Sequence, residues 1–243
     1  MRYLWAGATT TGMVRDGNED ALWPADPDTP WPSGEAEGHL VAGVADGMGG
    51  HVGGEIASRV AIEAAGTASG ADAVLRVKTA NLAVIDTVLD RPALAGMGTT
   101  LTLGLFDSAG ELEIGHVGDS RAYLLRDGDL IQITRDHSLV AEMVAAGELS
   151  PERAANHPYR NVVTRALGLD RAVEVDRRTR SLQDGDQVLF CTDGLTNMVA
   201  DDTIAAILTG TDDLVEAAEA LVEAADAAGG IDNTTVVVVR AVA

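Results

Sequence analysis

At 243 residues the chain has the length of one ordinary domain, residues 1–243, and can bury a substantial core. Its 17 basic against 38 acidic residues give a net charge of −21 at pH 7, which argues against nucleic acid or an anionic membrane as partner and favours cations. A single cysteine, Cys191, excludes an internal disulfide, and with no leader-like start or long apolar span the expected location is the cytoplasm.

The first segment with a clear bias is the Pro/Asp/Gly-rich stretch from Pro24 to Gly38, read as a loop. An apolar run from Leu40 to Ala45 follows, ends in Asp46, and gives way to the glycine cluster of VADGMGGHVGGE. Ile56 and Val60 one turn apart predict a helix, and Leu75, Leu82, Ile85 and Leu89 predict a second with a leucine stripe as its core face. TTLTLGLF, from Thr99 to Phe106, alternates with the period of a half-buried strand. ELEIGHVG, SRAYLLRDG and DLIQITR are short, β-rich and separated by GD and DG, and predict an antiparallel meander. Residues 138–165 mix a short helical pattern around Met143 with prolines and charges, and read as a mobile insertion. Strands are expected over Val173–Arg180 and Gln187–Cys191, two helices around Ile204–Leu208 and Leu214–Val222, and a buried closing strand over Thr234–Arg240. Strands and helices are grouped rather than alternating, which favours an α+β fold with antiparallel sheets.

The glycine cluster fits neither phosphate-binding pattern: Glu55 stands where a P-loop needs lysine, and Val52 where a dinucleotide fingerprint needs its third glycine. The recurrent feature is an acid at a strand end. Asp46-Gly47, Asp119-Ser120 and Asp193-Gly194 follow strand-like runs, and Asp232-Asn233 precedes the last one. Singly, each is a turn former. Together with Glu19-Asp20 they predict carboxylates converging on one edge of the sheets, where hard cations bound through oxygen, Mn²⁺ or Mg²⁺, relieve their repulsion. A glycine beside a ligand aspartate leaves its carbonyl accessible to the same ion. Two such ions roughly 3.5–4 Å apart acidify a shared water and clamp a phosphoryl group. Arg15 can grip a phosphate by two parallel hydrogen bonds.

The series V-R-D-G-N-E-D-A, V-A-D-G-M-G-G, M-G-T-T, G-H-V-G-D-S-R-A-Y, D-H-S, C-T-D-G-L and D-N-T-T, in order from Arg15 to Thr235, resembles the metal-dependent type 2C protein phosphatases in their bacterial form. The resemblance implies a four-layer αββα sandwich with two central antiparallel β-sheets. It also implies hydrolysis of phosphoserine and phosphothreonine in proteins by metal-bound hydroxide, without a phosphoenzyme. The expected partners are phosphoprotein substrates and an opposing Ser/Thr kinase, and the expected state is a monomer. By position, Asp46 matches the ligand bridging two tightly bound ions, Gly47 a carbonyl ligand, and Asp193 and Asp232 the remaining ligands of that centre. Glu19 and Asp20 match acids holding metal-bound water, Arg15 the phosphate-binding arginine, and Asp119 the acid sharing a third, weaker ion with Asp193. Residues 138–165 match the family's variable flap. Met48 stands where animal members carry a histidine proposed as general acid. His51 and His137 are alternative donors, though a histidine beside a turn or in a loop more often caps or hydrogen-bonds. Cys191 lacks the arginine six residues on that a cysteine phosphatase needs, and reads as a buried strand residue. The competing function is a catalytically weak metal-binding module that docks a phosphoprotein or kinase, and the complete acidic set disfavours it.

Overall fold

The computed structural model describes residues 1–243 apart from Pro27, Pro30, Ala71, Ala155, Asn156 and the side chain of His51. The strands are β1 (Arg2–Thr10), β2 (Asp20–Trp23), β3 (Ser33–Glu37), β4 (Leu40–Met48), β5 (Gly98–Thr99) and β6 (Leu101–Phe106). They continue with β7 (Glu111–Val117), β8 (Arg121–Arg126), β9 (Asp129–Gln132), β10 (Asp176–Ser181), β11 (Gln187–Cys191) and β12 (Thr234–Val242). The helices are α1 (His51–Thr67), α2 (Ala73–Asp90), α3 (Leu139–Ala145), α4 (Pro151–Ala154), α5 (Asp193–Thr196), α6 (Asp201–Gly210) and α7 (Leu214–Ala227). No helix among the described residues is long and apolar enough to cross a membrane.

Two antiparallel sheets stack face to face. One runs β3-β1-β12-β11-β8-β9 and the other β10-β7-β6-β4-β2, with β5 on the end of β4. The valine run of β12 explains the layering, since a central strand buried on both faces needs apolar side chains at every position. Val236 and Val238 pack under α6 and α7, while Val237 and Val239 enter the core between the sheets. Each such valine contributes about 1.5–3 kcal/mol. Tyr3, Phe106 and Phe190, in a chain poor in aromatics, stack in this middle core with ring centres 5.1 and 6.3 Å apart. A third core joins α1 and α2 to the outer face of the second sheet and completes the expected αββα sandwich.

Three expectations need correction. The meander does not form: β7 pairs with β6 and β10, whereas β8 pairs with β9 and β11, so Gly118-Asp119-Ser120 carries the chain from one sheet to the other. The leucine stripe of α2 faces outward, with Leu75, Leu82 and Leu89 53%, 42% and 63% exposed. Its buried face is Ala73, Arg76, Val77, Ala80, Asn81 and Val84, because small residues let α2 lie close to α1 and the sheet. Finally, the loop from Pro24 to Gly38 contains β3, an edge strand paired with β1.

Candidate metal centre

The acids gather where one end of both sheets meets. In the register of β2 and β4, Asp20 lies directly opposite Asp46, a cross-strand pair of like charges that costs stability unless it is compensated. Asp46 is fixed through its backbone: its N–H donates to Thr100 Oγ1 at 2.9 Å, and its carbonyl accepts from Thr99 Oγ1 and the Thr100 N–H, each at 2.8 Å. The M-G-T-T motif therefore positions this carboxylate. Asp193 opens α5 just after β11, and Asn197 one turn on donates Nδ2 to its Oδ2 at 2.9 Å. Asp232 precedes β12 and accepts Arg15 Nη2 at 2.6 Å and the Asn233 N–H at 2.9 Å. Asp119, buried at the crossover between the sheets, is followed by Ser120, whose hydroxyl shares a 2.7 Å hydrogen bond with Thr100.

Arg15, Glu19, Asp46, Gly47, Asp119, Asp193 and Asp232 all line one cleft of about 560 Å³. Asp20 does not reach its wall; its Oδ2 accepts Thr192 Oγ1 at 2.8 Å. Asn233 is the residue that sequence reading missed. Its Oδ1 accepts the Glu19 N–H at 2.8 Å, and its Nδ2 donates to the carbonyls of Thr11 and Gly17 at 2.9 Å each, tying the Arg15–Glu19 loop to the start of β12. The D-N pair carried the signal, because an amide is the only side chain that offers an acceptor and two donors at one short reach.

Two of the glycines also answer to packing. A Cβ on Gly47 would strike the Gly54 and Glu19 carbonyls, and one on Gly54 would strike the Glu19 carboxylate. They let the first turn of α1 close onto β4 and the loop before β2.

Electrostatics mark the cluster as short of positive charge. Burial, and then the neighbouring Asp20, Asp193, Asp119 and Asp232, hold the Asp46 carboxyl well above its ordinary range. Burial raises Asp20 to about 7 against hydrogen bonds from Thr235 and Thr192 that lower it, with Asp193 and Asp232 adding to the rise. Asp119 is pushed up to about 7 by burial, Asp193 and Asp136, and Asp193 to about 6 by burial and Asp232. The Arg15 guanidinium is raised by its hydrogen bond to Asp232. Carboxylate and carbonyl oxygens crowded this way suit hard divalent cations, whose charge removes the repulsion. Among the described residues no three acidic, histidine or cysteine groups already close around one point, and Asp232 is engaged by Arg15. The donor set suits a hard cation in chemistry and lines one cleft, while its side chains do not converge on one point.

The alternative proton donors separate clearly. His137 is buried, its Nδ1 accepts the Gly118 N–H at 3.0 Å, and the neutral ring therefore carries its proton on Nε2, 3.4 Å from Asp176 Oδ1. It stacks on His116 at 4.7 Å and pins the turn before Asp119 without facing the cleft. The side chain of His51 lies outside the described residues. Met48 lines the cleft rim. Cys191 is fully buried, and burial pushes its thiol up to about 12, which leaves it inert.

Residues 30–229 match the family model "Protein phosphatase 2C". The serine/threonine protein phosphatase PstP of Mycobacterium tuberculosis is 39% identical over 242 residues, which cover 96% of this chain and 44% of that protein. This chain therefore spans less than half the length of that relative. The serine/threonine phosphatase stp of Listeria monocytogenes is 40% identical over 209 residues, covering 81% of this chain and 82% of that protein. The crystal structure of the Mycobacterium tuberculosis PstP/Ppp phosphatase superposes over 100% of both chains with a TM-score of 0.87 at 38% identity. The catalytic domain of PstP in complex with two manganese ions does so with 0.84 at 37%, again over 100% of both. With the ordered motifs, the αββα sandwich and the acidic cleft all in place, the chain belongs to the protein phosphatase 2C family.

Proposed function

We propose that this domain is a metal-dependent protein phosphatase that hydrolyses phosphoserine and phosphothreonine and so opposes a Ser/Thr kinase. The observation that carries it is one cleft of about 560 Å³ that gathers Asp46, Asp119, Asp193 and Asp232 beside the Arg15 guanidinium. Asp46, the Gly47 carbonyl, Asp193 and Asp232 would hold two Mn²⁺ or Mg²⁺ ions, and Asp119 with Asp193 a third. Such cations, once bound, supply Lewis acidity toward water and toward phosphoryl oxygens.

The chain's own groups do the rest. Arg15 spends one N–H on Asp232 and has four more donors, enough to bind and orient a phosphate by two parallel hydrogen bonds without leaving its carboxylate. Glu19, whose backbone is held by Asn233, keeps an acceptor in place for water at the cleft wall, while Asp20, held by Thr192, stands outside that wall, opposite Asp46 in the sheet register. The two-manganese complex of the related PstP domain supports Mn²⁺ as the ion.

Phosphate release from p-nitrophenyl phosphate and from a phosphothreonine peptide tests the reading. Turnover is expected with Mn²⁺, is lost in EDTA and returns with excess Mn²⁺, and Asp46→Asn, Asp193→Asn or Asp232→Asn abolishes it. Turnover indifferent to EDTA, or absent with every divalent ion, rejects it.

A further inference from the structure

Beside the acidic cleft, and sharing Asp119 and Asp193 with it, runs a second groove of about 720 Å³ beneath α3 and α4. A phosphoryl group bound in the cleft would place the residues flanking it in this groove. Its roof is apolar, with Val140, Ala141 and Val144 from α3 and Pro151 from α4. Its charge is unlike that of the rest of the molecule. Asp136 is neutralised by Arg121, which grips both carboxylate oxygens at 2.8–3.1 Å. Cations in the cleft would compensate Asp119 and Asp193. Arg135 and Arg160 then remain, both exposed and both lining the groove.

Several arginines elsewhere on the molecule are paired with acids. Arg126 pairs with Asp186, Arg177 with Glu113, and Arg165 and Arg178 with Asp176. Among the described residues, no acid pairs with the guanidinium of Arg135 or of Arg160. Two uncompensated guanidinium groups in a concavity walled by low-dielectric surface focus positive potential locally, against a molecular charge of −21. That puts an attraction for anions on a groove continuous with the cleft.

We propose that this groove makes the domain selective for phosphorylated segments that carry acidic residues next to the phosphorylated one, with Arg135 and Arg160 as the residues that read them. The inference rests on the phosphatase reading above and names the substrate class for that site. Arg135 and Arg160 are specificity residues here. Each presents a planar fork suited to a carboxylate or to a second phosphate.

The test compares two phosphothreonine peptides, identical except that two flanking Asp in one are Ala in the other, with kcat/KM measured in Mn²⁺. The wild type is expected to favour the acidic peptide about tenfold, each of Arg135→Ala and Arg160→Ala to reduce that ratio roughly threefold, and the double variant to bring it near one. The double variant R135E/R160E should instead favour a peptide with two Lys at the same positions. Fluorescence anisotropy of the acidic peptide on the wild-type protein gives a second measure, and its affinity should fall as salt rises. A wild type that turns over both peptides alike, or a double variant that keeps the full preference, overturns the groove assignment while leaving the phosphatase standing. A wild type that turns over neither peptide nor p-nitrophenyl phosphate in Mn²⁺ overturns both.

Discussion

Asn233→Ala removes the amide that ties the Arg15–Glu19 loop to β12. The side chain is 6% exposed and makes three hydrogen bonds of 2.8–2.9 Å, to the Glu19 N–H and to the carbonyls of Thr11 and Gly17. A hydrogen bond of this kind contributes about 1 kcal/mol net, and the three partners, only partly buried, recover some hydration, so the loss should be about 3 kcal/mol. For a domain of this size that lowers the melting temperature by roughly 6–12 °C. Asn233→Asp is a sharper probe, because it keeps the acceptor for Glu19 but turns a carboxylate oxygen toward two carbonyls and adds charge beside Asp232. It should therefore be destabilised at least as much as the alanine variant when EDTA is present. Thermal and urea unfolding, run in EDTA and in Mn²⁺, give both numbers. A loss under about 1 kcal/mol for Asn233→Ala would show that the loop is held by something else and that the reasoning is wrong.

Arg15→Ala should raise KM for a phosphopeptide more than it lowers kcat, with kcat/KM down roughly 10- to 100-fold as befits a charged hydrogen-bonding group; an unchanged KM would make Arg15 structural. Asp119→Ala should keep two tight Mn²⁺ sites and lose only the weaker one in a calorimetric titration, and loss of all binding would place Asp119 in the core centre. Stability in EDTA should depend on pH with a definite sign. Asp20 and Asp119, raised to about 7, and Asp193, raised to about 6, bind protons more tightly folded than unfolded, so their contribution to stability is fully present below about pH 4 and is lost as pH climbs toward 7, outweighing the opposite and smaller contribution of buried His116. Saturating Mn²⁺ should abolish or reverse that slope, and a melting temperature in EDTA that rises between pH 5 and 7 would contradict the crowding of these acids.

The layered α+β fold and the acids of one cleft were legible in the sequence, and the strand pairing was not. Acids at strand ends keep their identity whatever sheet the strand joins, so Asp46, Asp119, Asp193 and Asp232 could be picked out before their neighbours were known. Strand partners are another matter. β7 and β8 are separated by a turn that reads like a hairpin, yet the buried carboxylate between them and the Gly118 φ of 116° belong to a chain crossing between layers. The face of α2 was misjudged because hydrophobicity was taken as the guide where size decides. Buried Asn81 shows the consequence: its amide donates to the Asp170 carbonyl and accepts the Gly168 N–H, both at 2.8 Å, a polar role that periodicity does not register. Asn233 escaped for the same reason, since its worth lies in backbone groups that only the folded chain brings within reach.

The pairing of β1 with β12 joins Thr9 to Thr235 across 226 positions of sequence. On a ribosome, β1 and β3 must wait until β12 has been made, 226 positions on from Thr9 at Thr235, before they are seated against β11. Asp232 emerges with that strand, so the acidic centre is assembled at the moment the sheet closes and not before. A chain made only as far as α7 would lack Asp232 and the Asn233 amide that ties the Arg15–Glu19 loop to the sheet. The cost is kinetic: folding of so non-local a topology is slow, and until β12 arrives the open edge of β1 is available to a neighbouring chain.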